Sequence, residues 1–191
     1  MKKSTVELVV VGGSAGSLPV ILGLLDALPA DFTPALLVVV HRPRNIDSEL
    51  ADLLAGHCGG KLREPDDKDP LAPGWVYLAP QNYHVLLDNG HISLDYSEPV
   101  HYCRPAIDVT LLSAAAAYGP RLLAILLSGA NADGAEGLAQ VLAQGGQALV
   151  QAPDDSEFAT MPQAAIDRSP AVTVLPILSI YQYIQTLNRT H

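Results

Sequence analysis

The sequence is poor in cations, in cysteines and in long apolar runs. Eleven Lys and Arg stand against 20 Asp and Glu in 191 residues, a formal net charge of −9. Nucleic acid and anionic membrane both require clustered cations, so neither is expected as a main partner. Two cysteines, Cys58 and Cys103, cannot build a disulfide scaffold for a chain of this length. They lack the C-x-x-C spacing of a metal or redox pair and read as the reduced thiols of a cytoplasmic protein. No stretch approaches the roughly 20 apolar residues of a membrane span. The apolar run that follows Lys2 and Lys3 ends at Gly12, too short for a signal-peptide core. A cytoplasmic location without membrane insertion is therefore expected. Internal repeats and low-complexity linkers are also missing.

Hydrophobic residues make up 49% of the chain, ample for a core, and the length suits a single domain over 1–191. Val6–Val11, Ala35–Val40 and Arg121–Leu127 are continuous apolar runs, the pattern of strands buried on both faces of a parallel sheet. Helical patterns follow over Leu18–Leu28, over Glu49–Gly56 with Asp47 or Ser48 as cap, from Pro105 to Ala117, and over Ala135–Gln144. Leu50, Leu53 and Leu54 are assigned to one face of the second, and Ile107, Leu111, Leu112 and Ala115 to the apolar side of the third. In between, His84–Asp88 and His91–Asp95 alternate around Asn89-Gly90, a strong hairpin signal. Weaker strands are expected at Lys61–Glu64, Trp75–Ala79, Ala148–Gln151 and Val172–Leu175, and further helices at Pro162–Arg168 and Ile177–Leu187. The fold class is α/β: a three-layer, doubly wound, mostly parallel sheet with an inserted antiparallel β-hairpin.

Such folds place their sites in the loops after the strands. The first of these loops reads Gly12-Gly13-Ser14-Ala15-Gly16-Ser17. It fits G-x-S-x-G with Ser14 in the nucleophile position, and fails both G-x-G-x-x-G and the P-loop pattern. The second carries His41 and the third Asp133. A serine needs a base to take its proton, and the base needs a carboxylate to fix its tautomer. Each residue also has a plain structural reading: a turn that needs small residues, a hydrogen-bonded histidine after a strand, and Asp133 as N-cap of the helix at Gly134 and Ala135. His57, His84, His91, His101 and His191 lack ligand spacing and are read as structural or solvent-facing, with no metal site.

Taken together, the motifs resemble the catalytic domain of the chemotaxis protein-glutamate methylesterases, the CheB family. The family pattern is G-A-S-x-G-G, then H-x-P, then G-M-G-x-D-G. It is matched by Gly12–Ser17, His41-Arg42-Pro43 and Gly129–Gly134, with support from Tyr77–Pro80, Arg104–Asp108 and Met161–Ile166. The resemblance implies hydrolysis of γ-glutamyl methyl esters on the cytoplasmic helices of methyl-accepting chemoreceptors, and deamidation of receptor glutamines. It implies Ser14 as nucleophile, His41 as base, Asp133 as orienting acid, and no cofactor or metal. Backbone N–H groups at Ala15 and in the Gly129–Ala130 turn are the candidate oxyanion donors. The sequence departs from the pattern at Gly13, Ala15, Ser17 and Ala130, where the family has Ala, Thr, Gly and Met. The first buried strand starts at about Val6, so the sequence reads as the catalytic domain alone, without the family's receiver domain. Activity would then be constitutive or controlled by a separate regulatory protein. A non-catalytic adaptor that keeps the fold is the alternative reading.

Overall fold

The computed structural model describes residues 6–42, 49–88 and 90–187. Strand β1 (Leu8–Gly13) lies at the centre of the main sheet. On one side it pairs with β2 (Ala35–Val40), then β4 (Val76–Leu78) and β3 (Leu62–Arg63). On the other it pairs with β7 (Leu122–Leu126), then β8 (Gln147–Gln151) and β9 (Thr173–Leu175). All six pairings are parallel. Strands β2 to β4 lie on one side of β1 and β7 to β9 on the other, so the strand order switches sides at β1.

Successive residues of a strand face opposite layers, and both faces of this sheet are covered. Leu8 and Val10 enter one core, with Leu37, Tyr77 and Leu126; Val9 and Val11 enter the other, with Leu36, Leu78 and Ile125. Helices α1 (Leu18–Asp26), α2 (Leu50–Gly56) and α6 (Ile177–Ile184) cover the second core. Helices α3 (Ile107–Tyr118), α4 (Ala135–Ala143) and α5 (Thr160–Arg168) cover the first.

The antiparallel hairpin of β5 (His84–Asp88) and β6 (His91–Asp95) forms a separate two-stranded sheet in the predicted register. Gly90 has φ +81°, the left-handed conformation that this turn requires. Val85, Leu87 and Ile92 of the hairpin lie in the same core as Leu111, Ala114 and Ala115 of α3. That helix is therefore buried against the sheet on one side and the hairpin on the other.

The two helix faces need correction. Leu112 is 41% exposed, while Thr110 and Asp108 are buried, Asp108 against α4, whose Gly137 N–H it accepts. In α2 Leu54 is buried and Leu50 packs partly buried against the same core, but Leu53 is 44% exposed. Two short 3-10 turns, Gly119–Arg121 and Pro153–Asp155, were not anticipated. The proposed cap at Asp47 or Ser48, Pro43 of the H-x-P motif, Asn89 and His191 lie outside the described residues. Among the described residues no helix is long and apolar enough to cross a membrane.

Candidate active site

Sheet register brings the first two residues together. Gly13 pairs with Val40, so Ser14 and His41 are the next residues past two neighbouring strand ends. On the far side Gly12 pairs with Leu126, and the Ser14 N–H donates to the Ser128 carbonyl at 2.9 Å. The loop after β7 thus starts beside the nucleophile turn and runs on to Asp133. Arg42, the residue after His41, forms an ion pair with Glu64 in which the arginine side chain is nearly buried.

His41 Nδ1 lies 3.1 Å from Ser14 Oγ, and His41 Nε2 lies 2.7 Å from Asp133 Oδ2. Asp133 is fully buried, yet its carboxyl is held below the usual range. Burial alone would raise it; the His41 ring and the Asp108 and Ile107 N–H groups overcome that and keep it ionised. An ionised Asp133 fixes the tautomer: Nε2 carries the proton and donates to Oδ2, which leaves Nδ1 to accept the Ser14 hydroxyl. Burial lowers the His41 pKa, but Asp133 and the Cys103 side chain beside the ring raise it by more, to about 9.

Asp133 does not cap its own helix, as the plain sequence reading had it. The N-cap position of α4 is Gly134, at φ +96°, with no side-chain cap. Asp133 instead caps α3: Oδ2 accepts the Ile107 N–H at 2.7 Å and Oδ1 the Asp108 N–H at 2.9 Å. These are orphan donors at a helix N-terminus, where the dipole also favours an anion. The preceding N–H, of Ala106, donates to Nδ1 of the fully buried His84, whose Nε2 in turn donates to the Glu98 carbonyl at 3.0 Å. Asp108 returns the contact, its Oδ1 accepting the Gly137 N–H of α4 at 2.7 Å. Burial pushes the Asp108 carboxyl up, with Asp133 nearby adding to it. His101 Nε2 stands 3.3 Å from Asp108 Oδ2. His101, Asp108 and Asp133 could offer a cation three donor atoms within 4.8 Å of one another, but both carboxylates already accept protein hydrogen bonds.

Of the expected oxyanion donors, Gly129 N–H is engaged by the Phe158 carbonyl at 3.1 Å. The Ala15 and Ala130 N–H groups find no protein acceptor among the described residues. Ser14 to Ser17 form a tight turn, closed by the Ser17 N–H on the Ser14 carbonyl at 3.1 Å. Its third residue, Gly16, has φ +76°, and a Cβ there would lie 2.8 Å from Ser128 Oγ, so only glycine fits. Ser128 Oγ donates to the Ala15 carbonyl at 2.8 Å and accepts the Phe158 N–H at 2.9 Å. The buried Gln151 accepts the Ser128 N–H at 2.9 Å and donates to the Asp155 carbonyl at 2.7 Å. Sequence reasoning gave no role to Ser128 and Gln151, and its structural-or-solvent reading of His84 did not foresee the contact with the α3 cap. The signal was there for the first two: a polar residue closing an otherwise apolar run after β7 and at the end of β8.

The CheB methylesterase family model matches residues 9–184. A Leptospira interrogans protein, named provisionally a protein-glutamate methylesterase/protein-glutamine glutaminase, is 34% identical over 186 residues, covering 97% of this chain and 96% of that one. Proteins with the same name from Symbiobacterium thermophilum and Anaeromyxobacter dehalogenans are 36% and 39% identical over 91% and 90% of this chain. The chain spans about half the length of those two, 48% and 50%. The crystal structure of the Thermotoga maritima CheB methylesterase catalytic domain superposes with a TM-score of 0.88 at 30% identity, covering 95% of this chain and 98% of that one. With the family model spanning nearly its full length, the chain belongs to the CheB methylesterase family.

Proposed function

We propose that this chain is a serine esterase that hydrolyses γ-glutamyl methyl esters on the cytoplasmic helices of methyl-accepting chemoreceptors. The same machinery would release ammonia from receptor glutamine side chains, in keeping with the double name of its relatives. The observation that carries the reading is the unbroken hydrogen-bonded chain from Ser14 Oγ through both nitrogens of His41 to a buried, ionised Asp133.

Ser14 Oγ attacks the ester carbonyl as its proton passes to His41 Nδ1. The tetrahedral oxyanion takes hydrogen bonds from the Ala15 and Ala130 N–H groups, which have no acceptor among the described residues and so cost little reorganisation. Collapse breaks the bond to the methoxy oxygen, and the proton on Nδ1 goes to it, releasing methanol. Water then attacks the glutamyl–Ser14 ester and gives a proton to Nδ1. The second collapse expels Ser14 Oγ, which takes that proton back; the glutamate leaves as a carboxylic acid and loses its proton to solvent. Asp133 stays ionised throughout and stabilises the imidazolium of both steps. The substrate site is uncharged while methylated or amidated, which eases its approach to a protein of net charge −9.

The test is methanol release from radiolabelled, methylated receptor membranes, comparing the native protein with Ser14→Ala. The variant should lose activity by about 10³-fold or more. Equal silence from both folded proteins would overturn the reading in favour of an adaptor role.

A further inference from the structure

The nucleophile turn departs from the family pattern at two positions that touch each other. Where G-A-S-x-G-G places Ala before the serine and Gly three residues after it, this chain has Gly13 and Ser17. A Cβ on Gly13 would lie 2.6 Å from Ser17 Cβ and 2.7 Å from Ser17 Oγ. A Cβ fixed to the backbone cannot yield to such a contact, so the turn holds one small side chain, not two. That side chain stands at position 17 here, and it ends in a hydroxyl.

The hydroxyl has a defined partner. Ser17 is 1% exposed, and its Oγ donates to the Ser14 carbonyl at 2.7 Å. Its backbone N–H donates to the same oxygen. Ser17 occupies the N-cap position of α1, yet its side chain caps no helix N–H. It is turned back to the nucleophile turn instead. The Ser14 carbonyl and the Ala15 N–H belong to one planar peptide and point in opposite directions. Two donors on the carbonyl hold that plane and polarise it, which strengthens the N–H at its other end as a donor.

We infer that Ser17 is a positioning residue for the oxyanion site: its hydroxyl orients and polarises the Ser14–Ala15 peptide so that the Ala15 N–H meets the developing negative charge. The inference rests on Ser14 acting as the nucleophile. It also couples the two positions in one direction: Ser17 requires Gly13, because the turn cannot hold a Cβ at both.

Four variants test it, with three readouts: methanol release from methylated receptor membranes, the rate of Ser14 labelling by a fluorophosphonate, and melting temperature. Ser17→Ala keeps the Cβ and removes the hydroxyl. It should lower kcat and the labelling rate together by about tenfold, the worth of one hydrogen bond, with KM unchanged and at most a small drop in melting temperature. Ser17→Thr restores the hydroxyl and should recover both rates. Gly13→Ala should melt well below the native protein, and Gly13→Ala combined with Ser17→Gly should regain the stability. A Ser17→Ala protein with native kcat and labelling rate overturns the inference while leaving the esterase reading intact. So does one that changes only KM or melting temperature, or a Gly13→Ala protein as stable as the native one. Failure of the native protein to label at Ser14 removes the esterase reading, and the inference falls with it.

Discussion

Asp108 and Asp133 exchange helix ends. Asp133, just ahead of α4, receives the first N–H groups of α3, and Asp108, in the first turn of α3, receives the Gly137 N–H of α4. The carboxylate facing His41 is therefore held by the packing of two helices and not by its own loop. Removing Asp108 should be felt in both. Asp108→Ala leaves the buried Gly137 N–H without an acceptor, a cost of about 1–3 kcal/mol that urea unfolding would read as a lowered midpoint. Asp108→Asn keeps an acceptor oxygen and should lose less than half as much.

The same geometry separates the two duties of Asp133. Asp133→Asn has one oxygen where three donors now bond, those of His41, Ile107 and Asp108. If its amide turns NH2 toward His41 Nε2, the ring proton moves to Nδ1, which can then no longer accept from Ser14. Esterase activity should fall by about 10³-fold or more. The melting temperature should fall too, because α3 loses a cap. A variant with native melting temperature and native activity would show that neither duty is real.

His41 gives a pH signature. Its base form is the neutral one, and Asp133 together with Cys103 raises its pKa to about 9 against the pull of burial. Activity on a small ester should therefore climb with pH and level off above about 9. Cys103→Ala removes one of the two upward influences, and the rising limb should move toward neutral pH. Asp108 and His101 lie behind Asp133 and do not touch the ring, so Asp108→Asn should leave the limb close to its native place. For stability the sign is the reverse. A folded-state pKa raised above 6.5 means that the protonated ring favours the fold below that value, and this contribution is lost as pH rises through about 9. Melting temperature should fall across that window, and less so in Asp133→Asn. A rate already level at neutral pH would contradict the assignment.

The sheet, its parallel strands and the three loops at its end were legible because buried strands write themselves as unbroken runs such as Ala35–Val40, each ending abruptly in a loop residue. The hairpin was legible from alternation on both sides of a left-handed glycine. What was not legible depends on the third dimension. Nothing in the spacing of Asp133 says that it caps a helix starting 26 positions earlier in the chain, since a local N-cap uses the same residue type. Leu112 follows the helical period of α3 but meets solvent, while Asp108 is buried against α4. His84 read as one of several scattered histidines; only the fold shows it buried against the first N–H of the α3 cap. The Gly13 and Ser17 departures stand as separate positions in the sequence, and only their contact distance couples them.

Gln151 extends the site's support into the next strand. It closes β8, is buried, and bridges the Ser128 N–H to the Asp155 carbonyl. Ser128 in turn accepts the Ser14 N–H and fixes the Ala15 carbonyl, so Gln151 touches no reacting atom but holds the residue that does the holding. Gln151→Leu strands one buried donor and one acceptor, a loss of about 2–4 kcal/mol for the pair. Gln151→Glu is the sharper experiment. Ionised, its side chain can still accept from Ser128 but cannot donate to Asp155, and it carries a buried charge. Protonated, it can do both. Burial raises a carboxyl pKa, so the deficit of Gln151→Glu relative to the native protein should shrink as pH falls and widen as pH rises. Paired melting curves of the two proteins at mildly acidic and at neutral pH would read it directly. A deficit that does not change with pH would mean that Gln151 is packing alone.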